Sequence, residues 1–282
     1  MTENRPTHLS QKEHWNGRAG QVWVETQDIL DRLFKPFEDH LCEIVQTTNA
    51  RNILDIGCGT GSTTHATAHV LEDRNGRCTG IDISGPMIEA AQKRTYAGKS
   101  RPHFINADAQ SHPFRANSFD MLISRFGVMF FSNYVEAMSN LHRAATGNAR
   151  LAFIAWRSPE ANPFMTTAEK AAAPFLPQMP KREPGAPGQF AFAGQYRVAD
   201  ILKSSGWTSI DIQPIDVSCT LTESDLMTYI THLGPLGLLL PGMTEEERTP
   251  ALQSVRAAFD PFMDGTIARF TAACWMIQAQ AS

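Results

Sequence analysis

Short apolar runs alternate with amphipathic stretches through the middle of the chain. Asn52–Ile56, Arg77–Ile81, His103–Asn106, Phe119–Ser124 and Arg150–Trp156 read as strands. Between them, Ser62–Leu71, Ser84–Tyr96 and Asn133–Ala145 read as helices. Ser84 is placed as an N-cap with Pro86 in the first turn, and Asn133 with Glu136 has the spacing of a capping-box analogue. This rhythm predicts parallel βαβ units, hence an α/β fold with a doubly wound, mostly parallel sheet. Upstream, Leu30, Leu33, Phe34, Phe37, Leu41, Ile44 and Val45 recur at helical spacing across residues 15–45, with Pro36 expected to kink that helix or start another.

The rhythm breaks after Trp156. Residues 157–195 carry Pro159, Pro163, Pro174, Pro177, Pro180, Pro184 and Pro187 together with Phe164, Phe175, Phe190 and Phe192. So many aromatics suggest an insertion, not a linker, with a short helix at Thr166–Ala173. A helix at Val198–Ser205, a strand at Thr208–Val217, helices at Glu223–His232 and Glu245–Phe259 and a last strand at Ile267–Ile277 follow. The reading divides the chain into an N-terminal helical lid, residues 1–48, and a sheet domain, residues 49–282. Cap insertions are expected at about 157–195 and 218–262. No internal repeat is seen.

At 282 residues and 42% hydrophobic, the chain is long enough for a sizeable core. The net charge of -4, with no basic stripe, makes nucleic acid a weak candidate partner. Cys42, Cys58, Cys78, Cys219 and Cys274 are scattered with no Cys-x-x-Cys pair. That fits neither a disulfide framework nor a zinc knuckle and suits a reducing, cytoplasmic setting. Met1–Lys12 has no apolar signal core, and Leu236–Leu240 is far too short to span a bilayer.

The most informative stretch is Ile53–Gly61, where an apolar strand runs into Gly57-x-Gly59-x-Gly61 and a helix follows. Glycines allow a sharp turn and close backbone approach to a ligand. The dinucleotide fingerprint G-x-G-x-x-G needs its third glycine one residue later, where Ser62 stands. Asp55 would repel a pyrophosphate but favour a ligand with a free amino group. Both details favour S-adenosylmethionine over NAD. Asp82 ends the second strand, where a carboxylate can accept from ribose hydroxyls. Asp108 follows the third strand, where it can accept from an adenine amino group. Ser124–Phe131 follows the fourth strand, at the carboxyl edge where open α/β sheets bind ligands.

Taken in order, Ile53–Gly61, Gly80–Ser84, Ala107–Ala109 and Ser118–Asp120 resemble the class I S-adenosylmethionine-dependent methyltransferases, in the ubiquinone/menaquinone-type branch. The resemblance is strong over about residues 50–156 and weak in the last strand. His14–Gly17 is similar to the family's N-terminal lid segment. The resemblance implies a seven-stranded sheet with an antiparallel last strand and methyl transfer to a small organic acceptor. It implies Asp55, Gly57, Cys58, Gly59 and Gly61 near the methionine part, and Asp82 on the ribose. Ile83 and Met87 would pack on the adenine, Asp108 and Ala109 would lie at its edge, and Trp15 and Ser124 complete the expected cofactor set. Ser124–Gly127 replaces the Asp/Asn-Pro-Pro-Tyr/Phe motif of enzymes that methylate amino groups of nucleic-acid bases. The two cap segments depart from the quinone methyltransferases.

Several assignments stay open on sequence grounds. His14 is the candidate general base because it sits in the lid, with His112, His142 and His232 as rivals and Tyr134, Tyr196 and Tyr229 as possible orienters. Arg125 is either an acceptor anchor or a structural ion-pair partner, and Phe126 and Met129 are either acceptor contacts or core, as are Phe130 and Phe131. His14 and Trp15 either close over the cofactor or merely pack. His65 and His69 share a helix face without a third ligand, so a solvated face and no metal are expected. Cys58 is read as a small packing residue and Trp275 as core. The aromatic, Leu- and Pro-rich cap suggests a partly apolar acceptor. The competing functions are a non-catalytic adenosylmethionine- or adenosylhomocysteine-binding regulator, an NAD-dependent oxidoreductase, and a protein or RNA methyltransferase. The oligomeric state is open and admits a homodimer.

Overall fold

The computed structural model describes residues 10–176 and 185–282; residues 1–9, and with them most of the segment searched for a signal, lie outside it, as do Pro177, Pro180 and Pro184 of the insertion. Three helices lead in: α1 (Gln11–Asn16), α2 (Arg18–Glu25) and α3 (Gln27–Gln46). The alternating half then runs β1 (Asn52–Ile56), α4 (Ser62–Val70), β2 (Arg77–Asp82), α5 (Gly85–Lys93), β3 (His103–Asn106), β4 (Phe119–Arg125), α6 (Tyr134–Ala144) and β5 (Ala145–Trp156). The rest comprises α7 (Phe164–Ala172), α8 (Gln195–Ser204), β6 (Trp207–Thr222), α9 (Glu223–His232), α10 (Gly234–Leu239), α11 (Glu245–Ala258), β7 (Met263–Asp264) and β8 (Ile267–Ala281).

The strands form one sheet in the order β3-β2-β1-β4-β5-β8-β6, with the two-residue β7 added onto β8. β1 to β5 pair in parallel, and β8 runs antiparallel to both β5 and β6. The strand order reverses between β1 and β4, so the crevice for a ligand opens outside their carboxyl ends. Helices cover both faces, which is why Ile53, Leu54, Leu122, Ile123 and Phe153 are fully buried and the central strands lack polar alternation.

Four details depart from the sequence reading. Of the two expectations for Pro36 the second helix is not found: it sits inside a single α3. Leu33, Phe34, Phe37 and Leu41, buried on both sides of it, hold the helix together, so packing outweighs the lost hydrogen bond. His65 is not on a solvated face. It is buried beside Tyr96 and Phe104, with Nε2 3.1 Å from the Ala91 carbonyl. Trp275 is only half-buried; its indole N–H donates to the Ala193 carbonyl at 2.8 Å and ties the 157–195 insertion to β8.

The fourth concerns the start of the cap. Ser218–Thr222 belongs to β6, paired with Ile267–Thr271 of β8. β5 pairs with β8 only from Cys274 to Gln280. The β6–β8 ribbon therefore runs on past the carboxyl edge of the parallel sheet, by roughly 20 Å at ~3.3 Å per residue. α9 grows directly from its tip, N-capped by Thr222. Pro214 is tolerated in the ribbon because β6 is an edge strand.

Candidate active site

β1 delivers the chain to Gly57 at the reversal of strand order. The Gly57 and Cys58 amides both donate to the Ile81 carbonyl, at 2.9 and 3.1 Å, so the loop folds over the end of β2. Gly57 has φ +64°, and a Cβ there would stand 2.5 Å from Gly127 Cα. A Cβ on Gly127 would in turn stand 2.4 Å from the Ile56 carbonyl oxygen. The loops after β1 and β4 thus cross backbone against backbone, which side chains would prevent. Ser124 locks this crossing: it is fully buried, donates to the Ile56 carbonyl at 2.7 Å and accepts from the Gly127 amide at 3.2 Å.

Asp82, at the end of β2, accepts from the Gly59 amide at 2.8 Å and the Ser84 amide at 2.8 Å. Burial still pushes its carboxyl above the usual range, against those amide bonds. Ser84 carries the link to α1, donating its hydroxyl to the Trp15 carbonyl at 2.7 Å. Asn16 accepts from the Gly85 amide at 2.9 Å and donates to the Ile83 carbonyl at 3.0 Å. Asp55 is buried and accepts from the Thr64 hydroxyl at 2.6 Å. Burial raises its carboxyl to about 7, although Thr64 and the Arg125 charge pull it down. Asp108 accepts from the Gln110 amide at 2.9 Å, and Ala109 is buried beside it.

A cavity of about 780 Å³ brings these groups together. His14, Trp15, Asp55, Gly57, Cys58, Gly59, Asp82, Ile83, Met87, Asp108 and Ala109 all reach its wall, as do Arg125, Phe126 and Met129. Gly61 and Ser124 do not reach the wall. A Cβ on Gly61 would meet Ala91 Cβ at 2.8 Å, so this glycine permits α4 to pack on α5, while Ser124 faces the crossing beneath the wall. The Cys58 thiol is buried and held well above its ordinary pKa, which leaves it neutral.

Among the candidate bases, His14 is pulled below its usual value by burial, which keeps it neutral with a lone pair available. Tyr229 and His232 also reach the wall. His112 packs on Phe114, His142 lies edge-on to Trp207, the Tyr134 hydroxyl donates to the Met129 carbonyl and Tyr196 is exposed; none of these four reaches the wall. No group of three or more His, Cys, Asp or Glu able to hold a metal occurs among the described residues.

The opposite wall is aromatic and aliphatic, and sequence reasoning missed most of it. Phe126 stacks on Trp156 at 4.4 Å, Phe34 meets Phe126 edge-on at 5.3 Å, and Phe164 stacks on Phe270 at 4.1 Å. Leu233, between α9 and α10, and Leu236 and Leu238 of α10 complete this lining. The available signal was the apolar run Leu236–Leu240: too short for a membrane, it had no strand or long helix to serve and so belonged to a pocket.

Residues 53–147 match the family model described as a methyltransferase domain. Over that stretch the chain carries a methyltransferase domain. The chain is 29% identical over 148 residues to aklanonic acid methyltransferase DauC of Streptomyces sp. (strain C5), covering 51% of this chain and 67% of that protein. It is 30% identical over 122 residues to demethylmenaquinone methyltransferase of Lactiplantibacillus plantarum, covering 43% and 51%. The chain spans about half the length of most of the curated relatives it matches. In fold it is similar to a SAM-dependent methyltransferase from Aquifex aeolicus, with TM-score 0.51, 14% identity and coverage of 94% and 98%. It is likewise similar to the cyclase SpnF, with TM-score 0.56, 15% identity and coverage of 96% and 97%. The fold is thus that of the methyltransferases, and the cyclase shows that fold alone does not name a reaction. No helix among the described residues is long and apolar enough to cross a membrane.

Proposed function

We propose that the methyltransferase moves a methyl group from S-adenosylmethionine to a small, partly apolar organic acceptor held under the cap. One observation carries this reading: a single cavity has the glycine loop with Asp82 and Asp108 on one side and the Phe34–Phe126–Trp156 cluster on the other. When bound, the cofactor supplies a sulfonium methyl that needs no further activation. The chain's part is alignment and exclusion of water. Orienting two reactants can remove about 7–11 kcal/mol of barrier at best.

Asp82 keeps acceptor capacity for ribose hydroxyls beyond its two amide bonds, and Asp108 lies where an adenine amino group would donate. Asp55 offers a carboxylate to the cofactor's ammonium, which favours its ionised form. Trp15, edge-on to Phe130 at 5.0 Å, shields the cavity from solvent on the lid side. His14 Nδ1 or Nε2 takes the acceptor's proton where the nucleophile is a hydroxyl or amine. The acceptor side is roofed by α9 and α10 and lined by apolar groups, which suits a small molecule better than a polynucleotide strand.

Thermal unfolding with excess adenosylhomocysteine and with excess NAD tests the reading. At 100 times its Kd, a ligand stabilises by about 2.7 kcal/mol, a rise of a few degrees. The expected result is a rise with adenosylhomocysteine and none with NAD. A rise with NAD alone would refute it. His14→Ala is expected to lower turnover by about 10²–10⁴-fold with adenosylhomocysteine affinity retained; unchanged turnover would remove His14 as the base.

A further inference from the structure

Arg125 is the last residue of β4 and stands on the cavity wall. Its guanidinium donates to the Phe34 carbonyl, at 3.4 Å, and lies 5.7 Å from the centre of the Phe34 ring. Among the described residues it has no carboxylate partner within 4.0 Å. The acids whose charge reaches it are committed elsewhere: Asp31 to Arg94 at 2.7 Å, Glu38 to Lys35 at 3.3 Å and to the Ser62 hydroxyl, and Asp55 to Thr64 at 2.6 Å. A guanidinium has five N–H donors in a fixed fork. Only the bond to the Phe34 carbonyl engages them here, and the residue lines a cavity that Phe34, Phe126 and Trp156 also line. A cation left unpaired in low-polarity surroundings is costly, and a planar oxyanion is the partner its fork fits.

We propose that Arg125 is the anion anchor of this cavity, binding a carboxylate or acidic phenolate of a bound ligand through forked N–H···O bonds. The inference rests on the reading of the cavity as a cofactor and acceptor site. The shared chemistry has two sources: an acidic group on an apolar, flat acceptor resting against the aromatic wall, or the carboxylate of the cofactor's amino-acid tail.

Calorimetric titration of the full chain separates them. The first arm compares adenosylhomocysteine with methylthioadenosine, which lacks the amino-acid tail, on the wild type and Arg125→Gln. The second compares 1-hydroxy-2-naphthoate with 1-naphthol, both in saturating adenosylhomocysteine. Losing a charge-assisted pair weakens binding by about tenfold to a hundredfold. A loss of that size for adenosylhomocysteine but not methylthioadenosine assigns the anchor to the cofactor. A loss for the naphthoate but not the naphthol, with adenosylhomocysteine unaffected, assigns it to the acceptor. If neither acid-bearing ligand weakens, or if only Arg125→Gln's apo melting temperature falls, the proposal is overturned and Arg125 is structural. Should Arg125→Gln not fold, Arg125→Lys keeps the charge, loses the fork, and is expected to give an intermediate loss in the same arm. A wild type that binds no adenosylhomocysteine would sink the reading of the site itself, an outcome distinct from unaltered binding in the variant.

Discussion

On the glycine-loop side of the cavity the fixed polar atoms belong largely to the main chain. Amides of Gly57, Cys58, Gly59 and Ser84 are fixed by the Ile81 carbonyl and the Asp82 carboxylate, and glycines allow two loops to touch. On the apolar side the surface is made of side chains from distant segments: Phe34 from α3, Phe126 and Trp156 from the ends of β4 and β5, Phe164 from α7 and Leu236 from α10. A main-chain surface depends on particular residues at particular positions. A side-chain surface depends on summed volume, and many sequences supply it. The first tolerates almost no substitution, whereas the second can be reshaped.

The largest effect should come from the main-chain side. Gly57→Ala places a Cβ 2.5 Å from Gly127 Cα at φ +64°. It is expected to destabilise by about 2–4 kcal/mol and to abolish measurable adenosylhomocysteine binding, read by denaturant unfolding and calorimetry. Near-normal binding would break the contrast. Next is Asp55, whose carboxyl is raised to about 7 from 3.8. The native state holds this proton more tightly than the unfolded chain, so its contribution to stability is complete below about pH 4 and lost as pH rises through about 7. Between pH 5 and 8 the apo protein should lose on the order of 2 kcal/mol from this group, and Asp55→Asn should flatten that slope. Equal slopes would show that Asp55 is ionised throughout. The smallest effect should come from the apolar side. Phe164→Leu, at a residue 3% exposed, should cost about 1 kcal/mol and leave adenosylhomocysteine affinity within about twofold. A large loss of that affinity would mean the two sides are not separable.

The same contrast governs what the sequence reveals. The strands from Asn52 to Trp156 are legible because each is a short apolar run bounded by polar turns, and β3 and α9 match their expected bounds. The glycine loop, Asp82 and Asp108, which all reach the cavity wall, stand out in the sequence because each follows the end of a strand within a few consecutive residues. Gly61 and Ser124 share that locality but face away from the cavity, since neighbouring residues on a turn point in different directions. His65 is misjudged because burial by Tyr96 and Phe104 comes from outside its own helix. Phe34 and Tyr229 carry no local mark that separates pocket from core, and only the fold brings them to one surface.

The overhanging ribbon has one more consequence. Thr222 at the end of β6 stands opposite Ile267 at the start of β8. Everything between them, α9 to α11 and β7, is therefore topologically the loop of one β-hairpin. Both ends of that module are anchored in adjacent strands of a shared ladder, so exchanging it leaves β1 to β5 with their connections intact. Exchanging it would replace Tyr229, Leu233, Leu236 and Leu238 of the cavity lining and leave the glycine loop in place.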